Sequence, residues 1–175
     1  GGDVGVLSVF FLNIVHMVPG QCLYLKANTP HAYVSGDIME CMACSDNVIR
    51  GGLTPKYKDV EVLLKSLVFE SRPASILRPT HVKCGAACEA STYAPDDIDD
   101  FGVVKVDAAG EGQLVPSQQC MSMGIIISGK GTINGMSVAQ GEVVAIRAGA
   151  EISIVPEAGT EMEVFIGACG RNYSD

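Results

Sequence analysis

Basic residues are scarce in this sequence: twelve Lys and Arg stand against twenty Asp and Glu, for a net charge of −8. That balance disfavours non-specific binding to nucleic acid or to an anionic membrane. A few local cations are still enough to hold one phosphate. No apolar run is long and uncharged enough to span a bilayer; Val6 to Val18 is too short and contains Asn13 and His16. Tryptophan is missing altogether, and long stretches of helical periodicity are scarce. Twenty glycines and eight prolines punctuate the 175 residues instead, which points to a mostly β chain with frequent turns. Hydrophobic residues make up 47% of the chain, enough for a sizeable core.

Seven cysteines is an odd count. Cys41 and Cys44 form a C-x-x-C, and Cys84 and Cys88 a C-x-x-x-C. With no secretory leader in view, the thiols are expected to be reduced, small and mostly buried, in a cytoplasmic protein. A sharper alternative joins the two pairs, with His81 nearby, into a four-thiol zinc site. Against it, Cys41 and Cys44 sit in a strand-like run without the tight turn that presents a zinc knuckle.

Val6 to Val18 reads as a long buried strand. Such a strand needs partners on both sides, so the chain is expected to be the C-terminal part of something longer. Pro19-Gly20 is a turn, Cys22 to Lys26 a strand, and His31 to Val34 extended. Ile38 to Cys44 alternates as a strand does. Lys58 to Phe69 carries apolar residues at helical spacing, with Asp59 near its start. A connector follows through Arg78-Pro79. From there the strands are short: Ala87 to Tyr93, Gly102 to Val106, Ser122 to Ser128, Gly131 to Ile133, Glu142 to Ile146, Ile152 to Val155 and Glu163 to Ala168. Asn134-Gly135 is a hairpin turn, and Asp96 to Asp100 is a solvated acidic loop. The pattern predicts a β-sandwich or jelly roll.

Two segments align without a gap: Gly20 to His31 and Gly141 to Ile152. Each reads turn glycine, polar residue, four mostly apolar residues, basic residue, alanine, small residues. A unit built twice is the natural reading. At the twelfth position the first copy has His31 and the second has Ile152. A metal held by the first copy cannot be held in the same way by the second, so any chemistry should belong to the first.

The densest stretch is HAYVSGDIMECMACSDNVIRGGLTPK, His31 to Lys56. The Gly-Gln…Pro-His pattern leading into it resembles part of a cupin metal motif. The stretch itself resembles the signature of type I phosphomannose isomerases, as do the flanking GDVGVLSVFFLNIV and KYKDVEVLLKSL. Gly51 departs from the family, which usually has alanine after the arginine. The resemblance implies the end of one cupin over residues 1–57, a helix and connector over 58–85, and a second cupin-like jelly-roll domain over 86–175. It implies a zinc-dependent enzyme that interconverts mannose 6-phosphate and fructose 6-phosphate. His31 would be a zinc ligand, Arg50 the active-site arginine, and Asp46 an acid that helps move protons. Tyr33 and Lys56 would line the sugar-phosphate pocket. The family's other zinc ligands come from strands N-terminal to this point, so the N-terminal half of the enzyme is expected to complete the site.

These residue types suit the reaction. Aldose–ketose isomerisation moves a proton between C1 and C2 through an enediol, and needs a base and a group that holds the developing oxyanion. Arg50 is permanently cationic, a poor base but a good oxyanion or phosphate partner. Read without the resemblance, His31 is a loop residue, Asp46–Arg50 an ordinary ion pair, Tyr33 core packing, and His16 and His81 structural. A non-catalytic cupin module that binds a ligand or partner is the rival reading, motivated by Ile152.

Overall fold

A computed structural model describes residues 2–45, 48–110, 113–115 and 120–169, with the backbone alone described at 82, 83 and 113–115. Asp46 and Asn47 lie outside the described residues. The chain divides into two compact units, Gly1–Ile38 with Cys44–Ile76, and Met39–Ala43 with Leu77–Asp175.

In the first unit the expected Val6 to Val18 strand is not present. Val4–Phe10 is a 3-10 helix with no buried residue, capped by Asp3, whose Oδ1 accepts from Gly5 N at 2.7 Å. No described strand runs beside this segment to form a ladder. Its backbone groups find local partners instead, Val6 N on Asp3 O at 3.1 Å and Phe11 N on Ser8 O at 2.9 Å. Strand β1, Cys22–Leu23, is shorter than expected and pairs with β2, Ile76–Leu77. Helix α1, Val60–Ser66, forms where the periodicity predicts one. Asp59 Oδ1 caps it by accepting from Val62 N at 3.0 Å, and Glu61 pairs with Lys65 one turn on at 2.6 Å. Ile38 to Cys44 alternates but is not a strand. Its Met39–Ala43 portion groups with the second unit, where a Cβ placed on Gly167 would be 3.6 Å from Cys41 Sγ.

Among its described residues the second unit holds ten strands. They are β3 Thr80–Gly85, β4 Cys88–Tyr93, β5 Gly102–Ala108, β6 Gln113–Val115, β7 Ser122–Ser128, β8 Lys130–Ile133, β9 Met136–Ala139, β10 Val143–Ile146, β11 Ile152–Pro156 and β12 Met162–Ala168. Six form one sheet in the order β10-β7-β12-β5-β4-β3, and four form another in the order β6-β11-β8-β9. Their pairings are antiparallel. Burial alternates along β5 and β12, as the two-residue period of a half-buried strand requires. Val104, Val106, Ile126, Val164 and Ile166 of the large sheet share one core with Ile133, Val138, Ile152 and Ile154 of the small one. Two sheets therefore pack face to face over a single apolar interior.

Two features of this unit correct the sequence reading. Thr80–Gly85, read as connector, is an outer strand of the large sheet. Cys84 and Cys88, expected as reduced thiols, are joined as a disulfide. The β3–β4 hairpin brings their Cα atoms to 5.4 Å, inside bridging range. Bonded to each other, they cannot supply two thiolates to a four-thiol zinc site. Cys22, Cys41, Cys44, Cys120 and Cys169 are free. Burial pushes the thiols of Cys22 and Cys41 up, the latter partly offset by the Met42 N–H.

Candidate active site

The turns of the repeat inferred from sequence carry the same hydrogen bonds in both copies. Gly20 and Gly141 have φ of +87° and +86°, which favours glycine at both turns. Val18 N donates to Gln21 Oε1 at 3.0 Å, and Ala139 N to Glu142 Oε2 at 2.7 Å. Gln21 N reaches Val18 O at 3.1 Å, and Glu142 N reaches Ala139 O at 3.1 Å. At the far end Thr29 N donates to Lys26 O at 3.2 Å, and Ala150 N to Arg147 O at 3.1 Å. Asn28 and Gly149, at φ +63° and +71°, occupy the same left-handed position.

Carried two residues further, the equivalence sets His31 against Ile152 and Tyr33 against Ile154. Both isoleucines are fully buried on one face of β11. In the first copy the same two positions carry side chains that can do chemistry, and both are exposed. Their rings sit together, with centroids 5.5 Å apart and planes inclined at 56°. His31 Nδ1 lies 2.9 Å from Thr29 O. A carbonyl only accepts, so Nδ1 carries the hydrogen, and in the neutral ring Nε2 is the lone-pair nitrogen that a metal needs. Thr29 Oγ1, beside this hydrogen bond in the chain, is shielded and has no hydrogen-bond partner among the described residues.

Arg50 and Lys56 stand on either side of the Gly51-Gly52-Leu53-Thr54 turn. Arg50 is half-buried and Lys56 exposed. Lys56 N donates to Thr54 Oγ1 at 3.2 Å, and Lys58 Nζ to Thr54 O at 3.1 Å. Leu53 has φ of +53°, an uncommon conformation for a leucine, and Gly52 packs directly on Gly5. The sequence reading did not find Asp3 here. Its carboxyl is held below the usual carboxylate range by the N–H groups of Gly5 and Leu53, assisted by Lys58, with burial opposing. Asp3 Oδ2 is 3.7 Å from Lys58 Nζ. Its local bond to Gly5 N reads as a helix cap, while Lys58 and the Gly52-Leu53 backbone lie some fifty residues downstream.

Zinc can be tested on the donor set. His31 has the tautomer and exposure of a ligand, but no group of three or more His, Cys, Asp or Glu side chains converges among the described residues. A catalytic zinc needs about three protein ligands, so these residues offer one ligand of a site. Elsewhere, His81 Nδ1 lies 3.0 Å from Ser91 Oγ and 2.7 Å from Glu89 Oε1. Both neighbours address the same ring nitrogen, which is not the arrangement of a nucleophile relay.

No protein-family model matches the chain. Likeness to a solved structure and to curated proteins is extensive. A phosphomannose isomerase variant from Salmonella typhimurium superposes with a TM-score of 0.68 at 24% identity, covering 96% of this chain and 43% of that one. Together with the two packed antiparallel sheets, this defines a mostly β, cupin-like fold. In sequence the chain is 44% identical over 138 residues to a probable mannose-6-phosphate isomerase of Echinococcus multilocularis, covering 75% of this chain and 31% of that protein. It is 40% identical over 161 residues to mannose-6-phosphate isomerase 2 of Arabidopsis thaliana, covering 89% and 35%. The Cryptococcus neoformans mannose-6-phosphate isomerase is 39% identical over 169 residues, covering 92% and 38%. The chain is thus a relative of the mannose-6-phosphate isomerases, as the His31 to Lys56 stretch suggests. It spans about a third of the length of these curated relatives.

Proposed function

We propose that this chain is the C-terminal portion of a zinc-dependent aldose–ketose isomerase that interconverts mannose 6-phosphate and fructose 6-phosphate. The observation that carries the reading is sequence identity of 39–44% to mannose-6-phosphate isomerases over most of the chain. His31, with Nε2 as its lone-pair nitrogen, would be this chain's zinc ligand. A bound zinc would supply Lewis-acid polarisation of the substrate's C1 and C2 oxygens. Arg50 holds the oxyanion that develops as the proton leaves carbon, its charge being permanent. Lys56, exposed on the same turn, takes the phosphate, and Tyr33 walls the pocket beside His31. Asp46, outside the described residues, is assigned the proton transfer between C2 and C1.

The remaining ligands would come from the N-terminal half of the enzyme. Among the described residues up to Ile76 none is buried, and Val4, Phe10, Phe11 and Ile14 are all highly exposed. Apolar surface on that scale fits a face that further chain covers. The second unit, with Ile152 and Ile154 where the first copy has His31 and Tyr33, is structural. No helix among the described residues is long and apolar enough to cross a membrane. A cytoplasmic setting is part of the reading.

In the complete enzyme, Arg50→Ala should lower kcat by about 10²–10³, the usual loss for one oxyanion partner. Lys56→Ala should mainly raise KM for the phosphorylated sugar. A folded Arg50→Ala enzyme with wild-type turnover would remove the role assigned to this residue.

A further inference from the structure

We propose that Asp3 is a positioning residue for the Arg50–Lys56 turn, holding in place the backbone that carries both cations. The consequence for turnover rests on the isomerase reading; the structural pin does not. One oxygen of Asp3 takes Gly5 N at 2.7 Å and lies against Gly52, and the Leu53 N–H helps hold the carboxyl low. The other oxygen faces Lys58 Nζ at 3.7 Å, and that ammonium also donates to Thr54 O at 3.1 Å. Asp3 therefore reaches the turn at Gly52 directly and at Thr54 through Lys58. The Gly5–Gly52 packing lets the two backbones close: a Cβ on Gly52 would be 2.7 Å from Gly5 Cα and 3.0 Å from Asp3 Oδ1. Leu53, in its left-handed conformation, directly follows Gly52 in this turn, and its N–H helps hold the Asp3 carboxyl low. Arg50 lies three residues before it and Lys56 three after, so releasing Leu53 shifts both cations together.

A plain capping role for the 3-10 helix predicts something different. Serine also caps well, but its hydroxyl is too short to serve Gly5, Leu53 and Lys58 at once. Asparagine keeps one acceptor oxygen for Gly5 N and replaces the oxygen that faces Lys58 with an uncharged amide NH2. The test uses the complete enzyme and compares Asp3→Ser with Asp3→Asn. It measures turnover of mannose 6-phosphate and amide hydrogen exchange over residues 50–58. Asp3→Ser should lose about 30-fold or more in kcat/KM, in line with misplacement of a catalytic group by up to ~1 Å. It should also lose protection at Leu53, while Asp3→Asn restores both to within about 5-fold of wild type. Wild-type exchange and wild-type turnover in Asp3→Ser would overturn the proposal, as would equal losses in both variants. If Asp3→Ser does not fold, Lys58→Met, which leaves the cap intact, must deprotect residues 53–55, or the proposal fails. Should the wild-type enzyme not isomerise mannose 6-phosphate, the reading of the reaction falls, and the exchange data alone decide whether Asp3 holds the turn.

Discussion

The Gly51-Gly52 pair sets the position of the turn that carries Arg50 and Lys56. A Cβ added at Gly52 would lie 2.7 Å from Gly5 Cα. Ordinary carbon–carbon contact is about 3.5 Å, so the two backbones must separate by ~0.8 Å. Neither atom is the end of a flexible side chain, and overpacking of this kind costs about 1–3 kcal/mol. A displacement near 1 Å at a catalytic group lowers turnover by about 10². A Cβ at Gly51, one residue earlier, would meet nothing within 4 Å, and Gly51 is not in the left-handed region. Gly51→Ala should therefore be active and stabilised by roughly 0.4–1 kcal/mol through the unfolded chain. The assay is kcat/KM for mannose 6-phosphate in the complete enzyme, with thermal midpoints for both variants. Equal activity in Gly52→Ala and Gly51→Ala would refute the close approach of Gly5 and Gly52 as a determinant of turn position.

Two further outcomes follow from the structure. Ile154→Ala removes a fully buried side chain from the core shared by both sheets. It should cost about 2–5 kcal/mol, read by denaturant unfolding, without lowering kcat at permissive temperature. For Asp3, the folded carboxyl lies below its ordinary value of 3.8 because Gly5 and Leu53 donate to its charged form, with Lys58 adding to them. A depressed carboxylate contributes stability above its unfolded value and loses it as pH falls through the folded value. Protection of the Gly5 and Leu53 amides should hold at neutral pH and fall below pH 3.8, and Asp3→Asn should abolish that dependence.

What could be read in advance divides along physical lines. The second unit was legible because its strands are half-buried, and alternation there is forced by the core. Ser122–Ser128 falls where the pattern puts it, as does the Asn134-Gly135 hairpin between β8 and β9. Helix α1 was legible from its period and its cap. The repeat was legible because two left-handed turn positions and one capping side chain recur at fixed spacing. Val6 to Val18 misled because an apolar run without a period does not choose between strand and helix, and the choice falls to whatever partners exist. Thr80–Gly85 was missed because it is an edge strand following Arg78-Pro79, with little alternation to reveal it. The Cys84–Cys88 bond depends on a hairpin register that the spacing alone does not give. The residues proposed for the site, His31, Tyr33, Arg50 and Lys56, stand in one dense stretch. Asp3 shows locally as a cap, but its contacts at Gly52 and Lys58 lie some fifty positions away, and no local pattern announces them.

His31 and the Arg50–Lys56 turn are proposed to serve a metal-dependent sugar-phosphate isomerase. The direct measurement is conversion of mannose 6-phosphate to fructose 6-phosphate by the complete enzyme, before chelation, after it, and after zinc is restored, for wild type and His31→Ala. The account predicts wild-type activity that chelator abolishes and zinc restores, together with a His31→Ala enzyme that folds but holds little zinc. Chelator-resistant isomerisation, or full zinc content and turnover in His31→Ala, would contradict it.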